Sequence, residues 1–156
     1  MGYVVLVIAQ TLVLPVISGW IELAASGGDA ILVFGKWFVF WGVGTRLLVA
    51  GIAQLSGKGP TAEILGEEAP SRFEKQLVGE LGLANTCMGL AGLLALVPGW
   101  ALPAGLAGGL YLLAAGVLHV TKPGKNLKEQ VATWTDLLVG VVVLVLAARV
   151  IIQALT

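Results

Sequence analysis

The chain has 156 residues, of which 58% are hydrophobic and 12% charged, and its formal net charge is zero. Mean hydropathy is +0.96, and a water-soluble domain of this length cannot clothe its surface with so few polar residues. The charge balance gives no footing for a nucleic-acid partner.

The apolar residues fall into five long runs, each long enough to cross a bilayer as a helix. The expected fold is therefore an all-α integral membrane protein forming one transmembrane domain over residues 1–156, with spans at about 2–25, 30–55, 76–97, 102–120 and 130–155. The first run starts at Gly2 without a basic stretch ahead of it and without a small-residue cleavage site behind it, so it is expected to stay as a span. Ser26-Gly27-Gly28 stops it, and Asp29 is placed to cap the second span. A polar connection runs from Ser56 to about Gln76, with Glu63, Glu67 and Glu68 as a solvated acidic face and Ile64-Leu65 as one amphipathic turn. Ser71 and Glu74 form a capping-box pattern for the third helix, which ends before Pro98-Gly99-Trp100. Pro103 suits the first turn of the fourth span, and Asn126 with Glu129 can cap the fifth.

Orientation follows from the basic residues. Lys58, Arg72 and Lys75 flank the second connection and Lys122, Lys125 and Lys128 the fourth, whereas the first and third connections hold no Lys or Arg. The positive-inside rule places the N-terminus in the cytoplasm and the C-terminus outside. Trp20, Trp37 and Trp100 then fall toward the outer interface, and Tyr3 and Trp134 toward the inner one.

Small residues recur at helical spacing beside a polar one: Gly42, Arg46, Val49 and Ala53; Gly82, Asn85, Gly89 and Gly92; Gly105, Gly109, Leu112, Gly116 and His119; Asp136, Gly140, Val143 and Ala147. Such faces turn away from lipid, which cannot satisfy their polar groups, and small residues bring backbones close. Tight packing accounts for the glycines by itself; gripping a partner helix is the functional alternative. Cys87, the one cysteine, is expected to be a buried packing residue.

Ionisable residues inside the spans carry the specific signal, because each costs about 2.5–3.5 kcal/mol at a span centre. An inner layer holds Arg46, Gln54, Glu80, Asn85, His119 and Asp136. Arg46 could meet Glu80 or Asp136 either as a ligand or proton site or as a structural knot, with His119 as the titrating group or merely a solvated end residue. An outer layer holds Glu22 and Lys36, expected as a structural ion pair, and Arg149, expected as an interfacial anchor. No nucleophile–base pair, metal-ligand spacing or cofactor fingerprint is present, which argues against independent catalysis.

The stretch from Gly44 to Lys58, with Arg46 near its start and Gly51-Ile52-Ala53-Gln54-Leu55 near its end, resembles the opening helix of DoxX-like membrane proteins. Glu80 to Asn85 and the glycine-rich third and fourth spans resemble that family's following helices. The resemblance covers residues 42–155 and implies a four-helix core with an extra N-terminal helix, in a small bacterial inner-membrane protein associated with quinone-linked or sulfur redox complexes. The first span and the acidic connection depart from the pattern. Three functions follow: a non-catalytic subunit of a homo-oligomer or larger membrane complex, a quinone- or lipid-binding partner, or a small carrier or proton pathway.

Overall fold

A computed structural model describes residues 2–57 and 71–156. Lys58, the Glu63, Glu67 and Glu68 patch and the Ile64-Leu65 turn lie outside these residues. The described residues are helical with no strands, and five helices are long and apolar enough to cross a membrane: α1 (Gly2–Ser26), α2 (Ala30–Leu55), α3 (Arg72–Leu96), α4 (Ala101–Thr121) and α5 (Leu127–Leu155).

Their ends are set by local chemistry. The Asp29 side chain accepts from the Ile31 and Leu32 N–H groups at the start of α2. Ser71 and Glu74 close a reciprocal capping box on α3, and Asn126 Oδ1 accepts from Glu129 N at the start of α5. Between α3 and α4 the chain reverses through Gly99, whose φ of 82° only glycine adopts without strain.

Helix α2 is central. Half of its most apolar stretch is buried, against a third or less for the others, and it packs on α1, α3, α4 and α5. Glycines permit its contact with α3: a Cβ at Gly92 would lie 2.5 Å from Gly44 N, and one at Gly89 only 2.4 Å from Leu48 N. The stripes on α3 and α4 are buried inside the bundle, Gly105 against Val39 and Gly109 against Val143. They are therefore covered by the chain's own helices rather than offered to a partner. Val39, Val43, Leu47, Leu112, Val139 and Val143 form the middle of the core.

Two helices contain a widened π-helical stretch, Ala9–Val13 in α1 and Val39–Thr45 in α2. The first lies directly before Pro15, which lacks an N–H and whose ring crowds the preceding turn; widening relieves that conflict. In the second, the Arg46 N–H reaches back to Trp41 O, while Thr45 Oγ1 donates to the same carbonyl at 2.8 Å. Gln10 Nε2 donates to Thr45 Oγ1 at 3.1 Å and joins the two wide segments.

Three expectations require correction. Cys87 is exposed: about 200° of helical rotation separates it from Asn85, so it faces outward when the Gly82–Asn85–Gly89–Gly92 stripe faces in. Arg149 does not stand alone as an anchor, for its Nη2 lies 2.6 Å from Asp29 Oδ2. Val49 is exposed instead of packed, because the face it shares with Arg46 and Ala53 lines a cavity instead of meeting a helix. The first helix is also more than an appendage: Val7, Gln10, Thr11, Pro15 and Gly19 are buried.

Candidate functional site

All five helices contribute to one cavity of about 410 Å³. Its walls are mostly apolar, with Leu6 and Val7 from α1, Leu47, Val49, Ala50 and Ala53 from α2, Leu81 from α3, Leu112 and Ala115 from α4 and Ala132 from α5. Its volume and lining fall in the range of small-molecule sites, apolar with a few convergent polar groups. The cavity occupies the end of the bundle that holds the start of α1, α3 and α5 and the close of α2 and α4. The backbone of residues 2–8 packs on α5 and stands off the last turns of α2. Leu6 and Val49, which line the cavity from α1 and α2, stay exposed, so it has an apolar open edge.

The polar groups gather at the inner side. Arg46 Nη2 forms an ion pair with Asp136 Oδ1 across α2 and α5, with 8% and 7% of the two side chains exposed. Burying either charge singly would cost several kcal/mol, so the pair must be satisfied together. The π-helical stretch ends at Arg46 and sets the angle at which its side chain leaves α2. Asn85 Nδ2 donates to Gln54 Oε1 at 2.8 Å and ties α3 to α2. Tyr3 approaches Arg46 from α1, and Tyr111 approaches Asn85 from α4. Besides the ion-paired Asp136 Oδ1, two buried atoms on this wall have no hydrogen-bond partner, the donor Arg46 Nη1 and the acceptor Asn85 Oδ1.

Of the inner-layer residues, Arg46, Gln54, Asn85, His119 and Asp136 line the same cavity. Glu80 does not join them: it is exposed and accepts from Gln76 Nε2 at 3.1 Å. Five residues of α-helix separate its direction from that of Asn85 by about 140°, so both cannot face the bundle axis.

His119 reaches a different carboxylate. Its Nδ1 lies 3.2 Å from Glu129 Oε1, and Lys122 Nζ lies at 3.2 Å from the same oxygen. Glu129 is 1% exposed, yet the sequence suggested only a capping role. The signal that could have found it is spacing, since Glu129 precedes Asp136 by about two helical turns and so shares its face.

At the opposite end, Lys36 Nζ lies 2.6 Å from Glu22 Oε1, and Trp37 Nε1 donates to Glu22 Oε2 at 2.7 Å. Glu22, Lys36 and Asp29 border a hollow of about 560 Å³. Every charge there is matched: Glu22 by Lys36, and Asp29 by Arg149 and its own helix N-terminus. The hydrogen bond from Arg149, then that from the Leu32 N–H, holds the Asp29 carboxyl below the ordinary carboxylate range. Among the described residues no group of three or more His, Cys, Asp or Glu side chains could hold a metal ion.

No family model, curated protein or solved structure matches this chain. The functional reading therefore rests on the chemistry of the site itself.

Proposed function

We propose that this is a five-span membrane protein that binds a quinone or lipid in the cavity at Arg46, as a non-catalytic subunit or partner of a larger membrane complex. One observation carries the reading: a mostly apolar chamber with an apolar open edge is bounded on its polar side by Asn85 and the buried Arg46–Asp136 pair. An apolar body with a polar head matches that gradient. The exposed Leu6 and Val49 at the cavity's edge suit entry of such a molecule from within the bilayer.

The N-terminus is assigned to the cytoplasm and the C-terminus to the outside. Arg72, Lys75, Lys122, Lys125 and Lys128 lie at the cavity end, while at the other end Lys36 and Arg149 are each paired with a carboxylate. The cavity then serves the inner leaflet. The resemblance of the Gly44–Lys58 and Glu80–Asn85 stretches to DoxX-like proteins supports a bacterial inner-membrane setting beside a redox complex.

Purification in mild detergent, followed by solvent extraction and mass spectrometry, tests the reading. A quinone or lipid should come through near stoichiometry and be lost in an Arg46→Leu/Asp136→Asn double variant that keeps its helical circular dichroism. A protein that retains nothing, or a variant that retains the same ligand, would refute it.

A second reading, a small proton or solute pathway through Arg46, His119 and Asp136, is favoured by one contact. His119 lines the cavity and touches Glu129, which also touches Lys122 near the end of the bundle. Acidification of proteoliposomes that is abolished by Asp136→Asn would support this pathway.

A further inference from the structure

We infer that the cavity selects its ligand by charge according to pH: with His119 neutral it takes uncharged amphiphiles, and with His119 protonated it also takes one with an anionic head. This selectivity rests on the proposed cavity reading and adds to it the class of head that the site admits. Its basis is the charge inventory of the wall. Apart from two tyrosines, the ionisable side chains that line the cavity among the described residues are Arg46, Asp136 and His119. Arg46 and Asp136 cancel in a buried ion pair. His119 therefore carries the one wall charge left to vary, and histidine is the side chain whose charge ordinarily changes between about pH 5 and 8.

The surroundings of His119 let that charge change without breaking the fold. Glu129 Oε1 of α5 lies 3.2 Å from His119 Nδ1, and Lys122 Nζ, just past the end of α4, lies 3.2 Å from the same oxygen. Lys122 balances the buried Glu129 carboxylate by itself, so a neutral His119 strands no charge. An Nδ1–H is present on the imidazolium and on one neutral tautomer, and in either form it can donate to Glu129. The remaining neighbours are accounted for element by element. On α5, Asp136 follows Glu129 by about two turns and is held by Arg46 of α2, while Lys128 lies one residue before Glu129, about 100° round the helix. Lys125 Nζ donates to Val120 O at 3.0 Å. Tyr3 lines the cavity from α1 and Tyr111 from α4 itself. From α3 the lining residues are Leu81 and Asn85, which carry no charge, and Glu80 is exposed beside Gln76.

Electrostatics then sets the preference. With His119 neutral, an anion that enters gives up hydration for no net attraction. Protonation leaves a single uncancelled positive charge beside a mostly apolar space, where it is screened far less than in water. An uncharged head is indifferent to the change. A fatty-acid carboxylate and an anionic phospholipid both offer the required head, with an apolar body for the Leu6, Val7 and Val49 walls.

The test is an equilibrium titration of the full chain in phosphatidylcholine nanodiscs, with empty nanodiscs as the partition baseline. Its probes are decanesulfonate, an anion throughout the range, and decyl methyl sulfone, its uncharged counterpart. From about pH 8 to about pH 5 the sulfonate affinity should rise about tenfold, the order set by a unit charge acting over about 12 Å at an effective dielectric constant of about 20. Sulfone affinity should stay constant. The rise should follow the imidazole nitrogen NMR titration curve, which needs no assignment because His119 is the only histidine. His119→Gln should bind sulfonate at every pH as the unaltered protein does at the alkaline end, and unchanged sulfone affinity would show its cavity intact. Displacement of the bound sulfonate by dilauroylphosphatidylglycerol would uphold the charge rule with a phospholipid as its source; displacement by perfluorooctanoate would uphold it with a fatty acid. A sulfonate gain that persists in His119→Gln, or a flat sulfonate profile beside sulfone binding, would overturn the charge rule and leave the cavity reading standing. If neither probe binds above the baseline, both fall.

Discussion

Arg46 of α2 and Asp136 of α5 join two helices distant in sequence through an ion pair with less than a tenth of either side chain exposed. Removing one partner leaves the other charge stranded, at a cost of about 3–5 kcal/mol. Arg46→Leu and Asp136→Leu should each lower the unfolding midpoint in mixed micelles, and combining them should recover much of the loss. Additive losses in the double variant would mean that the two charges are solvated separately.

The close approach of α2 and α3 makes a second prediction. Gly89→Ala and Gly92→Ala each press a methyl group into α2 backbone and should destabilise the bundle by about 1–3 kcal/mol, as overpacking does. A methyl group added at Gly79 would meet nothing within 4 Å, so Gly79→Ala should be neutral or stabilise by up to about 1 kcal/mol through helix propensity. Equal midpoints for Gly92→Ala and Gly79→Ala would show that the two backbones have room to spare.

Asp29 supplies the pH dependence. Its carboxyl is held below the ordinary range, first by the Arg149 hydrogen bond. A carboxylate whose folded-state pKa is depressed contributes stability that is fully present above its unfolded value, about 3.9. That contribution is lost as pH falls through the lower folded value. The unfolding midpoint should thus be insensitive to Asp29 titration from neutrality down to about pH 4 and fall below it. Asp29→Asn should lower the neutral plateau and flatten the acid limb. Parallel profiles for the two proteins would remove Asp29 from the account.

Cys87 reports on the surroundings of the bundle. It is exposed near the middle of α3, so a spin label there should collide freely with dissolved oxygen and rarely with a charged nickel complex in proteoliposomes. High nickel accessibility would place that face in water and contradict the membrane-spanning reading.

Helix number and caps were legible in the sequence because they depend on local signals: long apolar runs, Asp29, the Ser71–Glu74 box and Asn126. The glycine stripes of α3 and α4 were legible because a 3.6-residue period identifies the inward face without knowledge of the neighbour. Partner choice was not. Depth alone allowed Arg46 to meet either Glu80 or Asp136, and rotation about α3 decided the matter by turning Glu80 outward. Arg149 and Asp29 lie at opposite ends of the sequence, and no local pattern links them. Glu129 escaped notice because its position near a helix start already had a sufficient explanation as a cap.

The wide turn over Val39–Thr45 ties the chamber to the length of the chain itself. A π-helical stretch holds one residue more than the α-helix that would replace it, so deleting one residue there would let the segment tighten into ordinary α-helix while Arg46 and everything beyond it kept nearly the same direction. Deleting one residue from the regular helix ahead of it, Ala30–Phe38, would instead turn the two parts of α2 against each other by about 100°. A single-codon deletion scan across α2 should accordingly find Val39–Thr45 the most tolerant stretch of the helix.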